Sequence, residues 1–328
     1  MRKVIIGIHG LGNKPPKELL KTWWKRSIRE GLKAIKHPHF LFKFELVYWA
    51  HFFHHELLDP GETNRRSPLF IEDPYAPARE FKKGEANPAR QKLLDYIDKQ
   101  LNKIFLNDDM SINYSAISDF IIHHLFSDLE SYYSGTYLDA NGQECPAKEI
   151  ICEQLTSILK KYRKREILLI AHSMGSIIAY DVLTQSVPKI KINSLFTIGS
   201  PLGMPIVISK IIYEQRKVSE KKSVRVQTPE NIRKRWYNFS DLRDKVAIYY
   251  RLSESYDKNS QQIGPADKII YNNIEKNPHK SYGYLRAPEV SEAIHEFLIQ
   301  KKSRLSLWIG KKFYKIVSKF YGIDYESQ

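Results

Sequence analysis

The sequence predicts an α/β fold: a mainly parallel sheet with helices covering both of its faces. Short apolar runs of strand length alternate along the chain with segments whose apolar residues recur at helical spacing. The first run, Lys3–His9, is followed by a helical pattern that extends from Pro16 to about Ile35. Strands that alternate with helices form βαβ units, and such units build parallel sheets that are buried on both sides.

The later elements follow the same alternation. We expect a second strand at Phe40–Ala50 and a helix at Pro146–Tyr162. Further strands and a closing helix are predicted at Ile167–Ala171, Ile192–Gly199, Trp236–Phe239, Lys268–Ile274 and Pro288–Gln300.

The length of 328 residues suits one large domain with an insertion or two domains. We expect one domain over residues 1–300 and a basic amphipathic tail over residues 301–328. Within the domain, residues of about 55–148 separate two core strands and contain two predicted helices, Gln91–Leu106 and Ser115–Tyr133. Helical insertions between core strands tend to form lids or pocket walls, so a lid or cap is the expectation here.

The charge balance favours anionic partners. The chain carries 52 Lys and Arg against 37 Asp and Glu, a net charge of +15. Such a surface attracts lipid headgroups, nucleic acid or acidic proteins. Because the sequence contains no zinc-finger spacing, RNA-binding motif or basic heptad region, nucleic acid is the least favoured of these partners.

Localisation signals point to the cytoplasm. No apolar stretch has the length of a membrane span, and the N-terminal apolar run is too short for a signal peptide. Cys145 and Cys152 are the only cysteines, and they do not form a disulfide framework pattern. We therefore expect a cytoplasmic protein, with peripheral contact to a membrane as a further possibility.

A serine lies at the sharpest turn of the predicted fold. The apolar run that ends at Ala171 leads into His172-Ser173-Met174-Gly175, and a helical pattern follows at once. Strand, tight turn and helix with the pattern G-x-S-x-G form a nucleophile elbow. Ala171 replaces the first glycine but keeps the small side chain that this position requires. Gly175 lets the backbone turn close to the strand, so Ser173 is the candidate nucleophile.

Serine needs a neighbouring base, and the base needs an acid that orients it. Asp241 and Asp244 follow the predicted strand Trp236–Phe239, and both are candidate acids. His279 lies in the loop after the last strand, whereas His295 lies within the apolar pattern of the closing helix. We favour His279 as the base, because a histidine inside a helical apolar pattern is usually a packing residue.

Four segments resemble the α/β-hydrolase superfamily, most closely its lipases and esterases. They are IIGIHGLG, LLIAHSMGS, RWYNFSDLRDKVA and NPHKSYGYL. The superfamily uses the chain order serine, acid, histidine. The resemblance implies Ser173 as nucleophile and His279 as base. It favours Asp244 as the acid, because Lys245 and Val246 follow it as in the turn typical of the family.

The resemblance also implies an oxyanion hole. His9-Gly10 is similar to the HG motif, which makes the backbone N–H of Leu11 one donor. The N–H of Met174, the residue after the nucleophile, is the other. His9 and His172 are expected to support the site structurally.

The function expected from this resemblance is a serine hydrolase of carboxylic esters that acts through an acyl-enzyme. Apolar acyl or lipid esters are favoured, because the insertion and the stretch Met204–Tyr213 are apolar. A thioesterase, acyltransferase or amidase would use the same three residues. A non-catalytic module that binds membranes or proteins on a hydrolase scaffold is the alternative of another class. We expect no cofactor and no metal, since no phosphate-binding loop, dinucleotide motif or metal motif is present.

The tail allows two interpretations. Along Lys301–Tyr321, apolar residues fall on one helical face, and four lysines fall largely elsewhere. Such a segment either packs on the core of the enzyme or lies on an anionic membrane.

Overall fold

The computed structural model describes residues 3–39, 41–52, 54–78, 80–84, 88–89, 91–92, 129–138, 144–218 and 225–300. The helices predicted in the insertion lie almost entirely outside these residues, and the tail lies wholly outside them. The described start of the insertion, residues 54–78 and 80–84, runs as turns and irregular chain. Residues 129–134, near its end, are helical. Within the described part, no helix is both long enough and apolar enough to cross a membrane.

A parallel sheet forms the centre of the described structure. The strands are β1 Lys3–Ile8, β2 Phe44–Val47, β3 Thr136–Leu138, β4 Glu144–Pro146, β5 Glu166–His172, β6 Ile192–Ile198, β7 Val226–Gln227, β8 Ile232–Ser240, β9 Tyr256–Asp257 and β10 Pro265–Ile269. The main sheet has the order β10-β8-β6-β5-β1-β2, and every neighbouring pair in it is parallel. Two small ribbons, β3–β4 and β7–β9, lie outside it. The predicted α/β class with a mainly parallel sheet is confirmed.

Helices cover both faces of this sheet. They are α1 Lys17–Ala34, α2 Ala147–Tyr162, α3 Gly175–Asp181, α4 Pro205–Val218, α5 Leu252–Ser255, α6 Ser281–Arg286 and α7 Pro288–Ile299. Apolar residues of α1, α6 and α7 pack in one hydrophobic cluster, and those of α2, α3 and α4 pack in a second cluster on the other side. The helix α3 continues as one π-helical segment, Val182–Ser186.

The two clusters follow from alternation along buried strands. In β1, Val4 and Ile6 belong to the α2 side and Ile5 belongs to the α1 side. In β5, Leu169 lies on the α2 side, and Leu168 lies on the α1 side. Successive side chains of a strand point to opposite faces, so a continuous apolar run fills both cores at once.

Three strand predictions need correction. The predicted strand Trp236–Phe239 is only the last part of β8, which begins at Ile232. The predicted strand Phe40–Ala50 is shortened to β2, because the N–H of Trp49 donates to the ring of His9 instead of to a neighbouring strand. The predicted last strand Lys268–Ile274 is β10, which begins and ends earlier. The chain leaves the sheet there because the N–H of Asn272 donates to the carboxylate of Asp241.

Candidate active site

The turn between β5 and α3 holds Ser173 in an unusual backbone conformation. Its φ is 54°, in the left-handed region that non-glycine residues rarely occupy. Strain of this kind persists where the surrounding structure imposes it, and it is concentrated at functional sites. Two glycines make room for the turn. A Cβ on Gly10 would collide with the Cβ of Ser173, and one on Gly175 would lie 2.7 Å from the carbonyl oxygen of His9.

The structure brings Ser173, His279 and Asp244 together. The Oγ of Ser173 lies 2.9 Å from Nε2 of His279. The Nδ1 of His279 lies 3.0 Å and 2.9 Å from the two carboxylate oxygens of Asp244. The serine follows β5, the aspartate follows β8, and the histidine follows β10. Because these strands are parallel, all three residues lie at the same, carboxyl-terminal end of the sheet.

Hydrogen bonds fix the protonation pattern of this group. Because a carboxylate only accepts, Nδ1 of His279 carries the proton that is shared with Asp244. In the neutral ring Nε2 then accepts the hydroxyl proton of Ser173. Ser173 is fully buried, whereas the side chain of His279 is 20% exposed, so the site meets solvent on the side of the imidazole.

Asp244 is held as an anion. Its burial would raise its pKa, but the electrostatic attraction and the hydrogen bond of His279 act in the opposite direction. The hydroxyl of Tyr284 and the backbone N–H of Val246 donate to the same carboxylate. Together these donors keep the pKa of Asp244 below its ordinary value.

The alternative acid, Asp241, does not contact His279 through any hydrogen bond in the described residues. Its carboxylate accepts from the side chain of Arg243 and from the backbone N–H groups of Arg243 and Asn272. It therefore ties the turn after β8 to the chain that follows β10.

The alternative base, His295, lies elsewhere. Its Nδ1 is 2.8 Å from Nε2 of His39, and its ring stacks on His37 at a centroid distance of 4.1 Å. The structure thus pairs Ser173 with His279 and places His295 in a histidine cluster beside the end of α1.

His9 and His172 support the site from behind. His9 donates from Nδ1 to the carbonyl of Gly10 (2.8 Å) and accepts the N–H of Trp49 at Nε2 (3.0 Å). His172 donates from Nε2 to the backbone carbonyl of His279 (2.7 Å). Burial lowers the pKa of both rings well below the ordinary value, so both are neutral and act as structural hydrogen-bonding residues.

The two predicted oxyanion donors are Leu11, which follows Gly10, and Met174, which follows Ser173. Leu11 follows β1 in a bend, where the ammonium of Lys14 donates to its carbonyl oxygen. Met174 is buried and immediately precedes α3. Gly10 lies against Ser173, and the role of the two N–H groups as oxyanion donors stays a prediction.

Sequence reasoning did not find Tyr284 or Asn272. Tyr284 contacts the acid, and the side-chain amide of Asn272 donates to the carbonyls of Pro278 and Lys280, which flank His279. The available signal was the segment SYGYL after the histidine, because a tyrosine buried in a helix requires a partner for its hydroxyl.

Serine, acid and histidine follow β5, β8 and β10 in the chain order that is typical of one superfamily. The chain has the α/β-hydrolase fold. Residues 115–237, which are less than half of the chain, match the family model of the PGAP1-like alpha/beta domain. This segment contains the elbow serine and ends before the aspartate and the histidine.

The solved structures that are similar to the chain include the following two. A candidate hydrolase of the alpha/beta superfamily from Xanthomonas campestris pv. campestris is 12% identical, with a TM-score of 0.33 over 91% of this chain and 98% of that one. The acylaminoacyl peptidase of Pyrococcus horikoshii is 13% identical, with a TM-score of 0.25 over 48% of this chain and 27% of that one. No curated protein matches the chain. The fold and the family match support a hydrolase.

Proposed function

We propose that the protein is a serine hydrolase of carboxylic esters that uses Ser173, His279 and Asp244. The observation that supports this most strongly is the continuous hydrogen-bond path from the serine Oγ through the imidazole to the carboxylate. A serine hydroxyl is a weak nucleophile until an adjacent base accepts its proton. The strained φ of the serine and the anionic acid both suit this chemistry.

The proposed reaction has two halves. His279 takes the proton of Ser173 at Nε2 as Oγ attacks the ester carbonyl, and it then protonates the leaving alkoxide. Asp244 stabilises the imidazolium that forms in between. In the second half, His279 takes a proton from water, the hydroxide attacks the acyl carbon, and the serine leaves with the proton. The N–H groups of Leu11 and Met174 would donate to the oxyanion in each half.

An apolar acyl chain suits the surroundings of the serine. The hydroxyl of Ser176, on the elbow helix, lies 2.7 Å from that of Ser200, where the chain leaves β6. The helix α4 begins five residues later, and Ile206, Ile208 and Ile212 on it are only partly buried. These three partly buried isoleucines are therefore candidate contacts for an acyl chain.

Labelling with a fluorophosphonate tests the nucleophile. The wild-type protein should be labelled at Ser173, and Ser173→Ala should be folded but unlabelled. Activity on a short chromogenic ester should fall by about six orders of magnitude in this variant, because triad members act as a unit. Substantial residual ester cleavage by Ser173→Ala would refute the proposal.

A substrate panel then tests the bond and the acyl group. We expect medium-chain esters to be cleaved faster than acetyl esters, acyl-thioesters and acyl-amides. A preference for thioesters or amides would keep the three residues but replace the ester assignment.

A further inference from the structure

The hydroxyl of Tyr284 connects the two aspartates of the turn after β8. The residue lies in α6, and none of its surface is exposed. Its oxygen accepts the backbone N–H of Asp241 at 3.0 Å and lies 2.7 Å from Oδ2 of Asp244. Because a backbone N–H only donates, the phenolic proton is directed at Asp244.

The carboxylate of Asp244 is thus shared among three donors. Val246 donates its backbone N–H to Oδ1, His279 donates Nδ1–H, and Tyr284 donates O–H to Oδ2. Each hydrogen bond to a carboxylate stabilises its negative charge and reduces the strength with which the carboxylate attracts its other donors.

The backbone around the ring is arranged to accept it. Gly199 at the end of β6 has a φ of 55°, and a Cβ there would lie 3.2 Å from Cε2 of Tyr284 and 2.9 Å from Oδ2 of Asp244. A glycine therefore allows the phenol to approach the acid. Burial and the charge of Asp244 raise the pKa of Tyr284 well above its ordinary value, so it remains a proton donor.

We propose that Tyr284 is a positioning residue that orients the carboxylate of Asp244 and, by sharing its negative charge, weakens the attraction of that carboxylate for a protonated His279. The inference rests on the proposed function, because only a base that must accept a proton from serine benefits from this control. Without the phenol, the carboxylate would interact more strongly with the imidazolium and favour the protonated ring.

Tyr284→Phe removes the hydroxyl and keeps the ring. We expect the pH midpoint of fluorophosphonate labelling to rise by roughly 0.5–1 unit, since the base must lose its proton before the serine reacts. Tyr282→Phe is the matched control: this neighbour lies on the same helix, but its hydroxyl donates to the carbonyl of Asp73. An unchanged midpoint in Tyr284→Phe, or an equal shift in Tyr282→Phe, would overturn the proposal.

Proton NMR measures the titration of His279 directly and does not require that the protein turns over a substrate. The imidazole resonances of His279, assigned by their loss in His279→Asn, should titrate at higher pH in Tyr284→Phe than in the wild type. If the wild type were not labelled at all, the proposed function would fail, and this titration would still decide the role of Tyr284. An identical titration in both proteins would exclude that role.

A second substitution tests the proposal even if Tyr284→Phe does not fold. Incorporation of 3-fluorotyrosine at position 284 keeps the hydroxyl and makes it a stronger donor. The midpoint of the His279 titration should then move to lower pH, opposite to the effect of phenylalanine. A shift in the same direction for both substitutions would mean that altered packing, not the hydrogen bond, controls His279.

Discussion

The guanidinium of Arg243 binds both carboxylate oxygens of Asp241: the Nε–Oδ1 distance is 3.0 Å, and the Nη2–Oδ2 distance is 2.6 Å. The same guanidinium lies over the ring of Tyr271, 3.9 Å from its centroid. Since Asn272 also donates its N–H to Asp241, this aspartate joins two loops that carry the site. The two candidate acids of the sequence therefore have separable tasks.

Substitution of each aspartate by asparagine should separate these tasks. Asp244→Asn should lower kcat by about 10⁴-fold, because an amide favours the wrong tautomer of His279. Asp241→Asn should instead cost about 1–3 kcal/mol in the free energy of unfolding, because it weakens a buried network of hydrogen bonds. Steady-state kinetics and urea denaturation measure the two effects. The assignment of Asp244 would be wrong if Asp241→Asn caused the larger loss of kcat in folded protein.

The two histidines should also differ. His279→Ala removes the group that contacts Ser173, so ester cleavage should fall by about 10⁶-fold. His295→Ala should change stability by about 1 kcal/mol and leave the rate nearly unchanged, because its imidazole contacts His37 and His39. A short chromogenic ester is a suitable substrate for both. The reverse ranking would move the base to α7.

The sequence was most informative where one signal dominates. A continuous apolar run before Ser173 predicted a buried strand, because a parallel strand that is covered on both faces consists almost entirely of apolar residues. The turn residues after this run predicted the elbow. The chain order of serine, acid and histidine then predicted that all three lie at the carboxyl-terminal end of the sheet. The structure shows that they meet.

Polar edge structure was less predictable. The strand β10 reads Pro-Ala-Asp-Lys-Ile, lacks an apolar run and is one of the two edge strands of the main sheet. The sequence prediction extended the strand into Ile270 and Tyr271, which follow it. The tie between Asp241 and Asn272, which ends it, joins residues 31 positions apart and has no local sequence signal. The segment SYGYL indicated a tyrosine that needs a partner, but the partner Asp244 lies 40 positions away and could not be read from the sequence.

A buried ionic cluster lies behind the elbow helix. Asp181, at the end of α3, is 1% exposed and lies 3.0 Å from the ammonium of Lys148. Tyr132 donates to Asp181 at 2.9 Å, and Glu214 on α4 binds the same ammonium at 3.1 Å. Burial raises the pKa of Asp181 to about 6, since it outweighs the ion pair with Lys148 and the hydrogen bond from Tyr132.

This raised pKa predicts a pH-dependent stability. Between about pH 4 and pH 6 the folded state binds a proton at Asp181 that the unfolded state releases, so stability falls as the pH rises through this window. Asp181→Asn imitates the protonated form. The free energy of unfolding of the wild type, minus that of the variant, should fall by about 2–3 kcal/mol from pH 4 to pH 7. Urea denaturation at a series of pH values measures it.

Glu214→Gln is the control for this measurement, because Glu214 shares Lys148 but its side chain is 24% exposed. Because Asp181 is intact in this variant, its free energy of unfolding should still fall as the pH rises over the same range. A wild-type advantage over Asp181→Asn that grows with pH would show instead that the ion pair with Lys148 outweighs burial.

The tail provides a prediction from sequence alone, since Lys301–Tyr321 lies outside the described residues. We propose that it holds the enzyme on anionic membranes through its lysines and apolar face. Seven Lys or Arg, against Asp324 and Glu326, occupy residues 301–328. Near an anionic leaflet each cation contributes about 1 kcal/mol at most, and salt reduces this contribution. Full-length protein should therefore co-sediment with phosphatidylserine vesicles at low salt and dissociate as salt is added.

Replacement of four tail lysines by glutamine tests this proposal without shortening the chain. The variant changes Lys311, Lys312, Lys315 and Lys319. The control variant changes four exposed lysines of the domain, Lys160, Lys161, Lys189 and Lys191, and has the same net charge. Only the tail variant should lose vesicle binding, with cleavage of a soluble ester retained in both. Equal loss in the two variants would mean that total charge, and not the tail, directs the protein to the membrane. Retained binding in the tail variant would place the basic contact elsewhere.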